Sequence, residues 1–117
     1  MKLNSVCFYS NNIEVVTKFY LEVLGLQVDF QDGDRFVSFN FENGVHLAIK
    51  KAIEPREIPG AQTFFVETDD AHKAYSELKE KNVVFYKEIS EESWGTNFAI
   101  LDPDKNKIEF IQTKDTS

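Results

Sequence analysis

Two hydrophobic periods alternate along the chain. In "LNSVCFY", Val6 and Phe8 alternate with Ser5, Cys7 and Tyr9, as the two faces of a strand do. Behind it, Ile13, Val16, Tyr20 and Leu24 follow the spacing of an amphipathic helix, with Asn11 or Asn12 able to cap its start and Gly25 to stop it. Period two then returns in "LQVDF", "RFVSFNF" and "GVHLAIK", separated by the turn sequences "QDGD" and "ENG". Within "VSFNF", Val37, Phe39 and Phe41 alternate with Ser38 and Asn40, which predicts a strand with one buried face.

"AIEPREIPG" carries Pro55, Pro59 and Gly60 and reads as a linker. After it the order repeats. "QTFFVET" is a strand, and Asp69 or Asp70 caps a helix with Ala71, Ala74, Tyr75 and Leu78 at i, i+3, i+4 and i+7. Asn82 is the expected terminator. "VVFYKEI", "TNFAILD" and "KIEFIQT" supply three more strands, the last two joined by "DPDKNK". The pattern predicts an α+β domain over 1–117, with two βαβββ modules at about 1–51 and 61–113 and a linker at about 52–60. The halves share element order rather than residue identity, and each alone exposes a sheet face.

Parity assigns the faces. The more uniformly apolar set should meet the helix: Val6 and Phe8, then Val45, Leu47 and Ile49, then Phe64 and Val66, then Ile108 and Phe110. The opposite face receives Ser5, Cys7 and Tyr9, His46, Ala48 and Lys50, Thr63, Phe65 and Glu67, and Glu109 with Ile111. Ser5 and Thr63 fall near the start of each first strand, and His46 and Glu109 in each last strand. Related by a pseudo-two-fold, they would form two equivalent pairs facing one groove.

Composition narrows the function classes. Apolar residues make up 42% and aromatics 14%, with eleven phenylalanines, which argues against disorder. No apolar run reaches membrane-span length, and "MKLNSVCFYS" is too short and polar for a signal peptide, so a soluble cytoplasmic protein is expected. The only cysteine, Cys7, excludes an intramolecular disulfide and a cysteine-based zinc cluster. The net charge of −7 comes with scattered basic residues and no basic stripe, which disfavours nucleic acid as a partner.

The segments "NNIEVVTKFYLEVLGLQV", "FFVETDDAHKAYSELKEKNV" and "WGTNFAILDPDKNKIEFIQ" resemble the vicinal oxygen chelate superfamily, which includes glyoxalase I, extradiol dioxygenases and bleomycin-resistance proteins. The resemblance spans essentially the whole chain. It implies two βαβββ modules forming curved mixed sheets around a groove, and a homodimer. In metal-using members the ligands lie on the first and last strands of each module, here Ser5, His46, Thr63 and Glu109. His46 and Glu109 match that pattern, whereas Ser5 and Thr63 are weak donors. A catalytic zinc site needs three protein ligands, so no resident metal is expected, with a divalent ion through His46 and Glu109 as the alternative. Glu67 or Cys7 could add a donor on the same face.

Several residues keep two readings. Glu109 is a ligand, base or polar anchor, or a carboxylate at a groove rim. His46 is a ligand or proton shuttle, or an imidazole packed against a neighbour such as Phe65. Trp94 is an aromatic wall or lid, or a dimer contact. Cys7 reads better as filler than as nucleophile, and His72 and the "KEISEES" run read as solvated surface. The expected function is metal-free binding of a cationic or aromatic small molecule, with Ser5, Cys7, His46, Thr63, Phe65, Trp94 and Glu109 as ligand-binding residues. The alternatives are a divalent-metal-dependent lyase, isomerase or dioxygenase acting on vicinal oxygens, and an interaction module whose groove its own side chains fill.

Overall fold

The computed structural model describes residues 1–114, and the chain divides into two compact units, Met1–Gly60 and Ala61–Ser117. The fold is α+β. In the first unit, β1 (Ser5–Ser10) leads to α1 (Ile13–Glu22), then β2 (Gln27–Asp32), β3 (Phe36–Asn40) and β4 (His46–Lys51). The strands lie in the order β1-β4-β3-β2, with β1 parallel to β4 and the other pairs antiparallel. In the second unit, β5 (Thr63–Glu67), α2 (Ala71–Lys79), β6 (Val84–Glu92), β7 (Gly95–Leu101) and β8 (Lys107–Thr113) repeat this as β5-β8-β7-β6. Again the first and last strands are parallel.

Capping sets where the helices begin. Asn12 Oδ1 accepts from the Val15 amide at 3.2 Å, and Asp70 Oδ1 accepts from the Lys73 amide at 3.0 Å. Gln112 Oε1 takes another free donor of α2, the Ala71 amide, at 2.8 Å. Both helices end earlier than their apolar spacing suggests. α1 stops at Glu22, and the reversal at Gly25 (φ +68°) lets the Leu26 amide close on the Tyr20 carbonyl at 3.0 Å. α2 stops at Lys79, short of Asn82, because the Glu80 and Lys81 amides tighten back onto Glu77 and Leu78.

Each helix covers one sheet face. Ile13, Val16 and Tyr20 are buried with Phe8, Val37, Phe39, Leu47 and Ile49, and the Tyr20 and Phe39 rings lie 5.4 Å apart. In the second unit Ala71 and Leu78 are buried with Phe98, Ile100, Ile108 and Phe110, and Phe98 stacks on Phe110, its cross-strand partner, at 4.7 Å. Each such side chain taken from water contributes about 1.5–3 kcal/mol. Val6, expected among them, is exposed, and Phe64 and Val66 are only half-buried.

Neither sheet follows strict alternation. β2 shifts register between Val28 and Phe30, so Asp29 is an extra residue opposite β3. β6 does the same between Phe85 and Lys87, leaving Tyr86 extra opposite β7, and shifts again before Ser90. The "KEISEES" stretch is largely strand: β6 continues through it to Glu92.

The tight β7–β8 connection is built by two buried polar side chains. Asp102 Oδ1 accepts from the Asp104 and Asn106 amides, at 2.9 and 2.8 Å. Asn106 Nδ2 donates to Asp102 Oδ2 at 2.9 Å, and Asn106 Oδ1 accepts from the Gln62 amide at 3.2 Å. Together with the 2.8 Å bond from the Lys107 amide to the Gln62 carbonyl, these bonds hold β5 against β8.

Candidate functional site

The candidate residues lie on the helix-free face of each sheet. In the first unit, one row of cross-strand neighbours runs Ser5, His46, Asn40, Gln27, and the next runs Cys7, Ala48, Ser38, Phe30. Ser5 and Cys7 are exposed and Ala48 and Ser38 buried. Asp29, the bulge residue of β2, reaches across β3 over the small Ser38. Ser38 Oγ donates to Asp29 Oδ2 at 3.3 Å, and His46 Nδ1 lies 3.8 Å from the same oxygen.

A second polar group sits further along that face. Lys50 Nζ is 2.8 Å from both Glu57 oxygens, and Glu57 Oε1 also accepts from the Ile53 and Glu54 amides. Glu57 is buried. The Glu54 amide, the Lys50 ammonium and the Ile53 amide, in that order, lower its carboxyl to about 2. The same hydrogen bond raises Lys50. Cys7 is raised, chiefly by desolvation, and its Sγ donates to the Phe8 carbonyl at 3.5 Å, so it is not an activated thiolate.

In the second unit the rows are Thr63, Lys107, Leu101, Val84 and then Phe65, Glu109, Ala99, Lys87. The Glu109 side chain keeps 17% exposure, and Lys107 Nζ lies 3.7 Å from its carboxylate. Tyr86, the bulge residue of β6, places its ring 4.9 Å from the same ammonium. Phe65, beside Glu109, is 62% exposed. The two faces are alike in one respect: the bulge residue, Asp29 or Tyr86, lies near the first residue of the last strand, His46 or Lys107.

These registers correct one expectation. Ser5 pairs with His46, but Thr63 pairs with Lys107, so the counterpart of His46 is Lys107 and that of Glu109 is Ala48. The two equivalent polar pairs do not exist as inferred. Trp94 also stands apart from Glu109. It precedes Gly95, which pairs with Thr113, four residues beyond Glu109 and about 13 Å along the strand. His72 is exposed, as expected, with Glu91 at 3.3 Å.

The donors do not fit a resident divalent ion within either unit. The first unit offers the Ser5 hydroxyl, the His46 imidazole, whose Nδ1 is enclosed, and one carboxylate, Asp29, 3.8 Å from that nitrogen. The second offers one carboxylate with an ammonium already beside it. Among the described residues no group of three or more His, Cys, Asp or Glu could hold a metal ion. No helix is long and apolar enough to cross a membrane among those residues.

Two four-stranded mixed sheets of the same βαβββ order, each with one helix on one face and a polar, aromatic opposite face, define a paired-module α+β protein. The chain belongs to the Glyoxalase/Bleomycin resistance protein/Dioxygenase superfamily, whose family model matches residues 2–110. Among solved structures, it is similar to TnmS3, an antibiotic binding protein from Streptomyces sp. CB03234, at 22% identity over 97% of both chains with a TM-score of 0.86. It is similar to a lactoylglutathione lyase from Agrobacterium tumefaciens at 17% identity, over 95% of this chain and 92% of that one, with a TM-score of 0.80. A superfamily member from Sphaerobacter thermophilus DSM 20745 is 23% identical over 96% and 97% of the two chains, with a TM-score of 0.82. No curated protein sequence matches the chain.

Residues that sequence reasoning missed are Asp29, Tyr86, Lys107 and the Lys50–Glu57 pair. Their neighbours became visible only with the bulges and the strand register in place.

Proposed function

We propose that this protein binds a planar aromatic small molecule on a helix-free sheet face without a resident metal, each unit offering its own face: Ser5, Cys7 and His46 in the first, and Thr63, Phe65 and Glu109 in the second. The carrying observation is the exposed Phe65 ring directly beside the half-buried Glu109 carboxylate. An apolar ring stacks a flat ligand, and an adjacent anchored carboxylate orients its donors. Tyr86 extends the aromatic surface past Lys107. Because Lys107 partly neutralises Glu109, the reading favours an aromatic ligand over a purely cationic one. That a neighbour of the same fold is an antibiotic binding protein supports a small molecule as the ligand class. The lyase, isomerase or dioxygenase alternative would need three strong donors around one divalent ion. The homodimer implied by the family resemblance is part of this proposal, and sedimentation velocity reads it directly.

Calorimetric titration with a panel of planar aromatic compounds tests the binding. Saturable binding at micromolar concentrations is expected, weakened at least tenfold by Phe65→Ser and by Glu109→Gln. Phe65 is exposed, so Phe65→Ser should leave stability within about 0.5 kcal/mol of wild type. No saturable binding by any compound would overturn the reading.

A further inference from the structure

The helix-free face of the first unit holds a histidine with one buried ring nitrogen. His46 Nδ1 is enclosed and has no hydrogen-bond partner, and the group facing it is Asp29 Oδ2 at 3.8 Å. The His46 side chain keeps 26% exposure, which falls on its other atoms. Neutral imidazole carries one proton and one lone pair. A lone pair on Nδ1 would point at a carboxylate oxygen and be repelled, while an N–H there is attracted. The exposed part of the ring then presents Nε2 as an acceptor.

Asp29 holds this position for identifiable reasons. Strands β2 and β4 are separated by β3, about 9.6 Å from strand to strand, so a side chain of β2 does not ordinarily meet one of β4. The bulge at Asp29 and the small size of Ser38 on the intervening strand let the carboxylate reach over, and the Ser38 hydroxyl fixes it at 3.3 Å. In the second unit the bulge residue lies near a cation instead, Tyr86 beside Lys107.

We infer that Asp29 is a positioning residue that holds His46 in its Nδ1–H tautomer, making Nε2 a hydrogen-bond acceptor for a donor-bearing ligand, a phenolic or similar hydroxylated aromatic compound. This rests on the small-molecule reading above and names its ligand class.

Long-range proton–nitrogen correlation spectra identify which ring nitrogen carries the proton, with no ligand present. The chain has two histidines, and His72→Gln assigns His46. At about pH 8.5 wild type should show the Nδ1–H form. Asp29→Asn, whose amide can donate to Nδ1, should shift the tautomer ratio by about tenfold towards Nε2–H. An Nε2–H majority in wild type, unchanged by Asp29→Asn, overturns the assignment. The second measurement compares 2-naphthol with its methyl ether, which has lost the donor. 2-Naphthol should bind wild type about five- to tenfold more tightly, and the advantage should vanish in Asp29→Asn. Equal binding of the two, with the Nδ1–H form present, overturns the ligand class. Failure of both to bind while that tautomer is observed counts against the small-molecule reading and leaves the positioning by Asp29 standing.

Discussion

Replacing Asn106 with alanine should destabilise the second unit far more than a turn substitution normally does. Asn106 is 1% exposed and makes two side-chain bonds, donating to Asp102 Oδ2 at 2.9 Å and accepting from the Gln62 amide at 3.2 Å. Truncation removes both, and strands a donor at the start of β5. At about 1–3 kcal/mol for each deprived group, the loss should be about 3 kcal/mol. For a chain of 117 residues that is a fall in Tm of roughly 10–15 °C. Asn106→Asp keeps the shape but turns a carboxylate towards Asp102, so it should cost at least as much. Urea unfolding followed by near-ultraviolet circular dichroism gives both values, and the m-value checks that only the native state has changed. A loss below about 1 kcal/mol for Asn106→Ala would refute the claim that these bonds pin β5 to β8.

Two further outcomes follow from packing and charge. Gly95→Ala would place a Cβ 2.1 Å from the Gln112 carbonyl oxygen, a backbone atom that cannot step aside, and should cost about 2–4 kcal/mol in urea unfolding; a neutral result would mean the hairpin is looser than described. Glu57, lowered to about 2 from an ordinary 4.5, supplies stability that is complete above 4.5 and drains as pH falls towards 2. The stability gap between wild type and Glu57→Gln should therefore shrink over that window, and a gap that stays constant with pH would contradict the anchoring of the carboxylate by the Glu54 amide, Lys50 and the Ile53 amide.

Element order was legible because each helix and strand states its own period. Asn12 and Asp70 were each one of two candidate caps, and both caps lie within one residue of the first buried turn. The site was less legible for a specific physical reason. Parity tells which face a residue takes, but a shift of two residues leaves parity unchanged. His46 and Ala48 share a face, as do Lys107 and Glu109, so alternation could not show that Glu109 corresponds to Ala48. Bulges hide similarly, since only the register of β2 against β3 reveals Asp29 as the extra residue. Glu57 sits in a proline-rich segment that reads as a linker, and nothing local announces that its carboxylate organises that segment's amides around Lys50.

The most direct test of a metal-free binding site is a titration of the tightest-binding planar aromatic compound of the calorimetric panel into nitrogen-labelled protein with an excess of a strong chelator. The account predicts saturable shifts centred on Phe65 and Glu109 with an affinity that chelator, zinc and manganese leave unchanged. Shifts that appear only when a divalent ion is added, and disappear with chelator, would contradict it.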